Sequence, residues 1–273
     1  MWSSKDVYYV SDSTAILAES MGRGLLCHFH ETSFNEEKIP FVLTKEDADK
    51  AIKYILSRSE GRLPLIFCSI MNEEVRQIID APQVEFFDIF AKHLDRLEVC
   101  LETKAIREVG HSRHGDDLTL AKRVEAINYC LSHDDGTKTW DYDNADIVLL
   151  GVSRSGKTPV SVYLATQMGF KTGNFPLTPE QLENYELPKD IVRNAKKVIG
   201  LTTTPELLHK VREQRYSGSR YASRPTCSIE IRQAQQIYAK YHIQTIETSG
   251  KSIEETAVQA AQLLGIARKT LRF

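Results

Sequence analysis

Residues Gly151-Val152-Ser153-Arg154-Ser155-Gly156-Lys157-Thr158 fill every fixed position of the pattern G-x-x-x-x-G-K-[ST]. Each residue type in that pattern has a physical task. Glycines let the backbone curl so that successive N–H groups and the first turn of a following helix converge on one centre, and such a nest attracts phosphate oxygens. A lysine adds a mobile cation for the terminal phosphate, and the threonine hydroxyl suits a magnesium ion bridging phosphates. The spacing therefore predicts a nucleotide cradle over residues 151–158, with Lys157 catalytic, Thr158 a metal ligand and Mg2+ the accompanying ion. The structural alternative is a glycine-rich turn that holds no ligand.

Phosphoryl transfer also needs an acid or base beside the acceptor, and usually an acidic metal ligand. Downstream of the loop no apolar strand ends in aspartate, because Val198 to Leu201 runs into Thr202-Thr203-Thr204. Upstream, His133-Asp134-Asp135-Gly136 sets two carboxylates beside an imidazole, a group that can orient a hydroxyl, take its proton or hold magnesium. Its alternative is a solvated helix end with a glycine stop. Other clusters have weaker spacing. His111, His114, Asp116 and Asp117 read as a polar loop, and Arg212, Arg215, Arg220 and Arg224 as either a phosphate grip or a solvated basic face. Ser249-Gly250-Lys251-Ser252 looks like a second phosphate loop, but Thr245 stands at the first glycine position, and Ser252 with Glu255 reads as a capping box.

The elements that must position these residues alternate between strand and helix. Strands are predicted at Val7 to Val10, Pro40 to Leu43, Leu65 to Ile70, Ile147 to Leu150, Lys197 to Leu201 and Ile243 to Ile246. Helices are predicted over Ala15 to Met21, Lys45 to Ser57 with Thr44 as cap, from Asn72, over Leu118 to Leu131, over Pro159 to Met168, from Pro205, and over Ile253 to Leu264. Phe86, Phe87 and Phe90 read as core. This alternation predicts an α/β fold with mainly parallel sheets flanked by helices and a C-terminal P-loop kinase-like domain. The polar stretch after Gly136 suggests a junction, giving an N-terminal α/β domain 1–137 and a phosphotransferase domain 138–273.

Composition removes several classes. Lysine and arginine total 35 against 37 acidic residues, so no basic excess exists to neutralise a nucleic-acid backbone. No apolar run is long enough to span a bilayer, and Met1 to Tyr9 does not read as a signal peptide. The five cysteines are widely spaced, with no C-x-x-C, as expected of reduced thiols in the cytoplasm.

Taken together, several ordered segments resemble one family, the bifunctional serine/threonine kinase and pyrophosphorylase regulators of phosphoenolpyruvate synthase and of pyruvate, phosphate dikinase. The likeness spans nearly the whole chain: Val10 to Thr14, Ser132 to Gly136, Ala145 to Ala165, Asn174-Phe175-Pro176-Leu177, Gly200-Leu201-Thr202 and Ser219 to Ser223. Glycine before the loop lysine resembles the synthase-directed branch. Ala15 departs from the family, where glycine commonly follows the Ser-Asp-Ser-Thr run. The resemblance implies that ADP, not ATP, is the donor to a threonine of phosphoenolpyruvate synthase, or alternatively of pyruvate, phosphate dikinase, and that inorganic phosphate removes the group again as pyrophosphate. An ATP-dependent small-molecule kinase and a non-enzymatic nucleotide-gated module stand as the rival readings. A homo-oligomer stays open.

Overall fold

Ile147–Val152 is apolar throughout apart from Gly151, and every one of its residues is buried. Such a run belongs in the middle of a parallel sheet covered on both faces. The computed structural model, described here over residues 3–109 and 117–266, places it there.

The first compact unit, Met1–His114, contains β1 (Ser3–Val10), α1 (Ile16–Leu26), β2 (Thr32–Ile39), α2 (Lys45–Arg58), β3 (Leu65–Cys68), α3 (Glu73–Ile79), β4 (Glu85–Asp88) and α4 (Ala91–Leu101). Its strands are all parallel, in the order β2-β1-β3-β4. The second unit, Gly115–Phe273, contains α5 (Asp117–Ser132), β5 (Ile147–Val152), α6 (Lys157–Met168), β6 (Thr172–Leu177), α7 (Pro179–Asn184), α8 (Lys189–Arg193), β7 (Val198–Thr202), α9 (Pro205–Glu213), α10 (Arg224–Lys240), β8 (Gln244–Glu247) and α11 (Ile253–Leu263). Its parallel order, β6-β5-β7-β8, has the same connectivity as the first. The α/β class with parallel sheets flanked by helices is thus as the alternation predicts.

Three differences have physical causes. The strand expected at Pro40 to Leu43 lies earlier, at β2, whose residues alternate between half-buried and exposed instead of forming an apolar run; Phe41 has a left-handed φ of 61° that ends strand geometry. Strands β4 and β6 escaped the sequence reading, β4 because it is short and β6 because Gly173 and Pro176 mask it. The division between units falls at 114/115, before the expected 137/138 junction. Helix α5 packs Ala126 and Cys130 against Ala165 of α6, so Asp134 and Asp135 belong to the same body as the loop 151–158. His111, His114 and Asp116 lie outside the described residues. Among the described residues no helix is long and apolar enough to cross a membrane.

In the second unit, two cores cover the sheet. Val148, Leu150 and Val152 face Leu208 of α9 and Cys227, Ile231 and Ala234 of α10, while Ile147 and Leu149 face Val160 and Leu164 of α6 and Ala257, Ala260 and Ala261 of α11. Strands β5 and β7 therefore carry their following helices on opposite faces, which opens a crevice at their carboxyl ends, the usual ligand position in open α/β sheets. In the first unit the equivalent crevice is bridged from within: Ser69 Oγ donates to Ser11 Oγ at 2.9 Å and Met71 N donates to Asp12 Oδ2 at 2.8 Å.

Caps follow the sequence. Thr44 and Asp47 form a capping box on α2, and Ser252 and Glu255 form one on α11. Thr44→Ala should cost about 1 kcal/mol of stability, measurable by urea unfolding; an unchanged midpoint would show that the cap is silent.

Candidate functional site

Residues 151–158 leave β5 and turn directly into α6, whose N-cap is Gly156 and whose first residue is Lys157. Two backbone positions show why glycine recurs. A Cβ on Gly151 would lie 2.5 Å from Ser155 Oγ and 3.0 Å from the Leu201 carbonyl, and Gly156 has a φ of 95° that side chains rarely adopt. Arg154 is held at a φ of 73° despite its side chain, a strain of the kind found where loops are shaped for ligands. Pro159 sits in the first helical turn, where its missing N–H leaves no hydrogen bond unmade.

Lys157 is buried and donates from Nζ to the Val152 carbonyl at 3.0 Å. Burial pushes its ammonium down to about 8 from the ordinary lysine value near 10.5, while the carboxylates of Asp135 and Asp134 pull it back up. An anion placed beside this ammonium would offset part of that burial cost.

On the β6 side of the loop, Thr158 Oγ1 donates to Asp134 Oδ1 at 3.2 Å, and Asn174 Nδ2 donates to Thr158 Oγ1 at 3.0 Å and to the same Asp134 oxygen. The upstream acid and the loop threonine, separated by 24 residues, thus meet through a short 3-10 turn, Asp134–Gly136. Asp135 stands exposed in that turn with a left-handed φ of 51°. His133 points the other way. Its buried ring stacks on Tyr129 at 3.7 Å and presents Nδ1 to the Tyr129 carbonyl at 2.8 Å and Nε2 to Asp141 Oδ2 at 2.9 Å. Its own carbonyl accepts Asn174 N at 3.1 Å, so this imidazole anchors the turn.

The arginine cluster divides. Arg215, Arg220 and Arg224 are exposed, but Arg212 is fully buried. Its Nη2 donates to the Ser153 carbonyl at 3.0 Å and to Glu230 Oε2 at 2.6 Å, Nη1 donates to the Tyr221 carbonyl at 3.1 Å, and the guanidinium lies 4.0 Å over the Tyr221 ring. Tyr221 in turn donates its hydroxyl to Ser153 Oγ at 2.8 Å. These groups lock the middle of the 151–158 loop from below. Asn174, Tyr221 and Glu230 had no signal as site residues beyond lying in, or close to, segments that carry the family likeness.

A family model described as kinase/pyrophosphorylase matches residues 7–260. The chain belongs to the kinase/pyrophosphorylase family. Relatives of nearly equal length accompany the match. A protein of Desulfotalea psychrophila, provisionally named a phosphoenolpyruvate synthase regulatory protein, is 45% identical over 264 residues, 97% of each chain. Proteins of Laribacter hongkongensis and Neisseria meningitidis with the same provisional name are 42% and 40% identical, over 97% and 98% of this chain and 98% and 100% of theirs. The kinase/pyrophosphorylase match spans both compact units, so family membership applies to the whole two-unit chain and not to the loop domain alone.

Proposed function

We propose that this protein transfers the β-phosphoryl group of ADP to a threonine of phosphoenolpyruvate synthase, inactivating it, and reverses the modification with inorganic phosphate. In the forward direction the threonine oxygen bonds to the β-phosphorus as the bond to the bridging oxygen breaks, and AMP leaves. In the reverse direction a phosphate oxygen attacks the phosphothreonine, restoring the hydroxyl and giving pyrophosphate. The observation that carries this reading is the meeting of the phosphate loop with an acidic turn: Thr158 bonded to Asp134 beside a buried Lys157. One cradle serves both directions, since ADP and pyrophosphate share a diphosphate group.

The parts divide the labour. Backbone N–H groups of residues 151–158 and Lys157 bind the diphosphate. Thr158 and Asp134 form an oxygen donor pair that suits Mg2+, an ion that keeps several waters and needs few protein ligands; when bound it would neutralise phosphate charge. Among the described residues no larger cluster of metal-ligating side chains exists. Asp134 is already engaged with Thr158 and Asn174, which leaves exposed Asp135 to accept the proton of the acceptor threonine.

The decisive experiment incubates the purified protein with phosphoenolpyruvate synthase and ADP or ATP labelled in the terminal phosphate, then adds phosphate. Label on a synthase threonine from ADP alone, later recovered in pyrophosphate, supports the reading. Transfer from ATP to a small metabolite, or nucleotide binding with no transfer, would replace it. Asp135→Asn should slow transfer by about 100-fold or more while ADP affinity changes little. Equal losses in both would make Asp135 a structural residue.

A further inference from the structure

A carboxylate that takes a proton from an acceptor hydroxyl must be aimed closely, yet Asp135 stands exposed in the three-residue 3-10 turn Asp134–Gly136. So short an element leans on its neighbours. The residue before it, His133, is 3% exposed, and both of its ring nitrogens face oxygen. Nδ1 meets the Tyr129 carbonyl at 2.8 Å and Ser132 Oγ at 2.9 Å, while Nε2 meets Asp141 Oδ2 at 2.9 Å. With the ring buried and both nitrogens engaged, this imidazole is not placed to touch an acceptor or a phosphate.

Asp141 is held in its turn. It lies in a second 3-10 segment, Thr139–Asn144, where its Oδ1 accepts from Asn144 Nδ2 at 2.6 Å. Its carbonyl accepts the Tyr129 hydroxyl at 2.9 Å, and the Tyr129 ring stacks on His133. Tyr129, His133 and Asp141 therefore close a ring that joins the end of α5 to the segment leading into β5. Strand β6 is tied to the same ring. Asn174 N donates to the His133 carbonyl at 3.1 Å, and the Asn174 carbonyl accepts the Tyr142 hydroxyl at 3.1 Å. The backbone of Asn174 is thus fixed on both sides, and its Nδ2 reaches Asp134 and Thr158.

We infer that His133 and Asp141 are a positioning pair: they hold the 134–136 turn so that Asp135 meets the acceptor hydroxyl, and neither contacts the nucleotide. The inference rests on the role proposed for Asp135. It makes the adjacent imidazole and the carboxylate eight residues on a brace, not a proton relay, because neither ring nitrogen of His133 is open to the acceptor.

Two variants test this on the full chain. Asp141→Asn changes a side chain that is 22% exposed and keeps its size, and His133→Phe keeps a ring against Tyr129 and removes both nitrogens. Transfer from ADP to phosphoenolpyruvate synthase should lose about tenfold in kcat in the first and about 100-fold in the second, the scale of a misplacement on the order of 1 Å. ADP affinity, measured by calorimetry, should stay within about twofold in Asp141→Asn. The double variant separates aiming from general damage: adding Asp141→Asn to Asp135→Asn should cost less than about twofold more, since a brace has no effect once the group it aims is gone. Amide hydrogen exchange gives a readout that needs no activity, and Asp141→Asn should quicken it about tenfold or more over residues 133–137 while leaving residues 151–158 as in wild type. Unchanged exchange over 133–137, an unchanged kcat in both single variants, losses that multiply in the double variant, or a loss of ADP affinity equal to the loss of kcat each overturn the positioning role. A wild-type protein that transfers nothing from ADP overturns the functional reading and the aim given to Asp135 with it, and exchange then still decides whether the pair holds the turn.

Discussion

Replacing Lys157 by methionine should abolish binding of ADP and pyrophosphate and, at the same time, raise the melting temperature by several degrees. Methionine keeps most of the apolar stem and removes a cation that is 5% exposed. The folded-state value near 8, against 10.5 for a free lysine, means the fold resists the charge; the cost at neutral pH is on the order of 3 kcal/mol. Because the unfolded chain binds the proton more tightly, wild-type stability should rise with pH between about 8 and 10.5, and the methionine variant should lack that component. Phosphate affinity should move oppositely, falling as pH rises past about 8 and the ammonium is lost. Bound anion favours the charged lysine, so this decline should sit at higher pH in the complex. Denaturation and ligand titrations of both proteins across this range check the two signs together. A methionine variant that binds pyrophosphate normally, or is less stable than wild type at pH 7, would contradict this account of the lysine.

Arg212→Met should cost about 3–5 kcal/mol, the range for breaking a buried ion pair from one side. The loss leaves the Ser153 and Tyr221 carbonyls without a donor and Glu230, which is 18% exposed, without its cation. Ser153 lies in the loop 151–158 proposed to bind phosphate, so pyrophosphate affinity should fall with stability. Replacing Glu230 by leucine in the same chain should recover part of the stability but not the affinity, since the carboxylate no longer lacks a partner while the Ser153 carbonyl still does. Urea unfolding and pyrophosphate titration of the single and double variants measure this. A single-variant loss below about 1 kcal/mol would show that Arg212 is no keystone.

The loop, its flanking strand and helix, the Thr44 cap on α2, the capping box on α11 and the α/β class were legible in the sequence because each depends on local chemistry. A fully apolar strand, a glycine with positive φ and a serine three residues before a glutamate carry their meaning within a few positions. The family likeness extended this reach, since its motifs are ordered along nearly the whole chain. The meeting of Asp134 with Thr158, the turning of His133 toward Asp141 and the burial of Arg212 beneath Ser153 were decided only by tertiary structure. Each joins residues from separate elements, and which side of a turn or helix faces the loop depends on sheet order and on the packing of α5, α6 and α9, which local residue spacing does not encode.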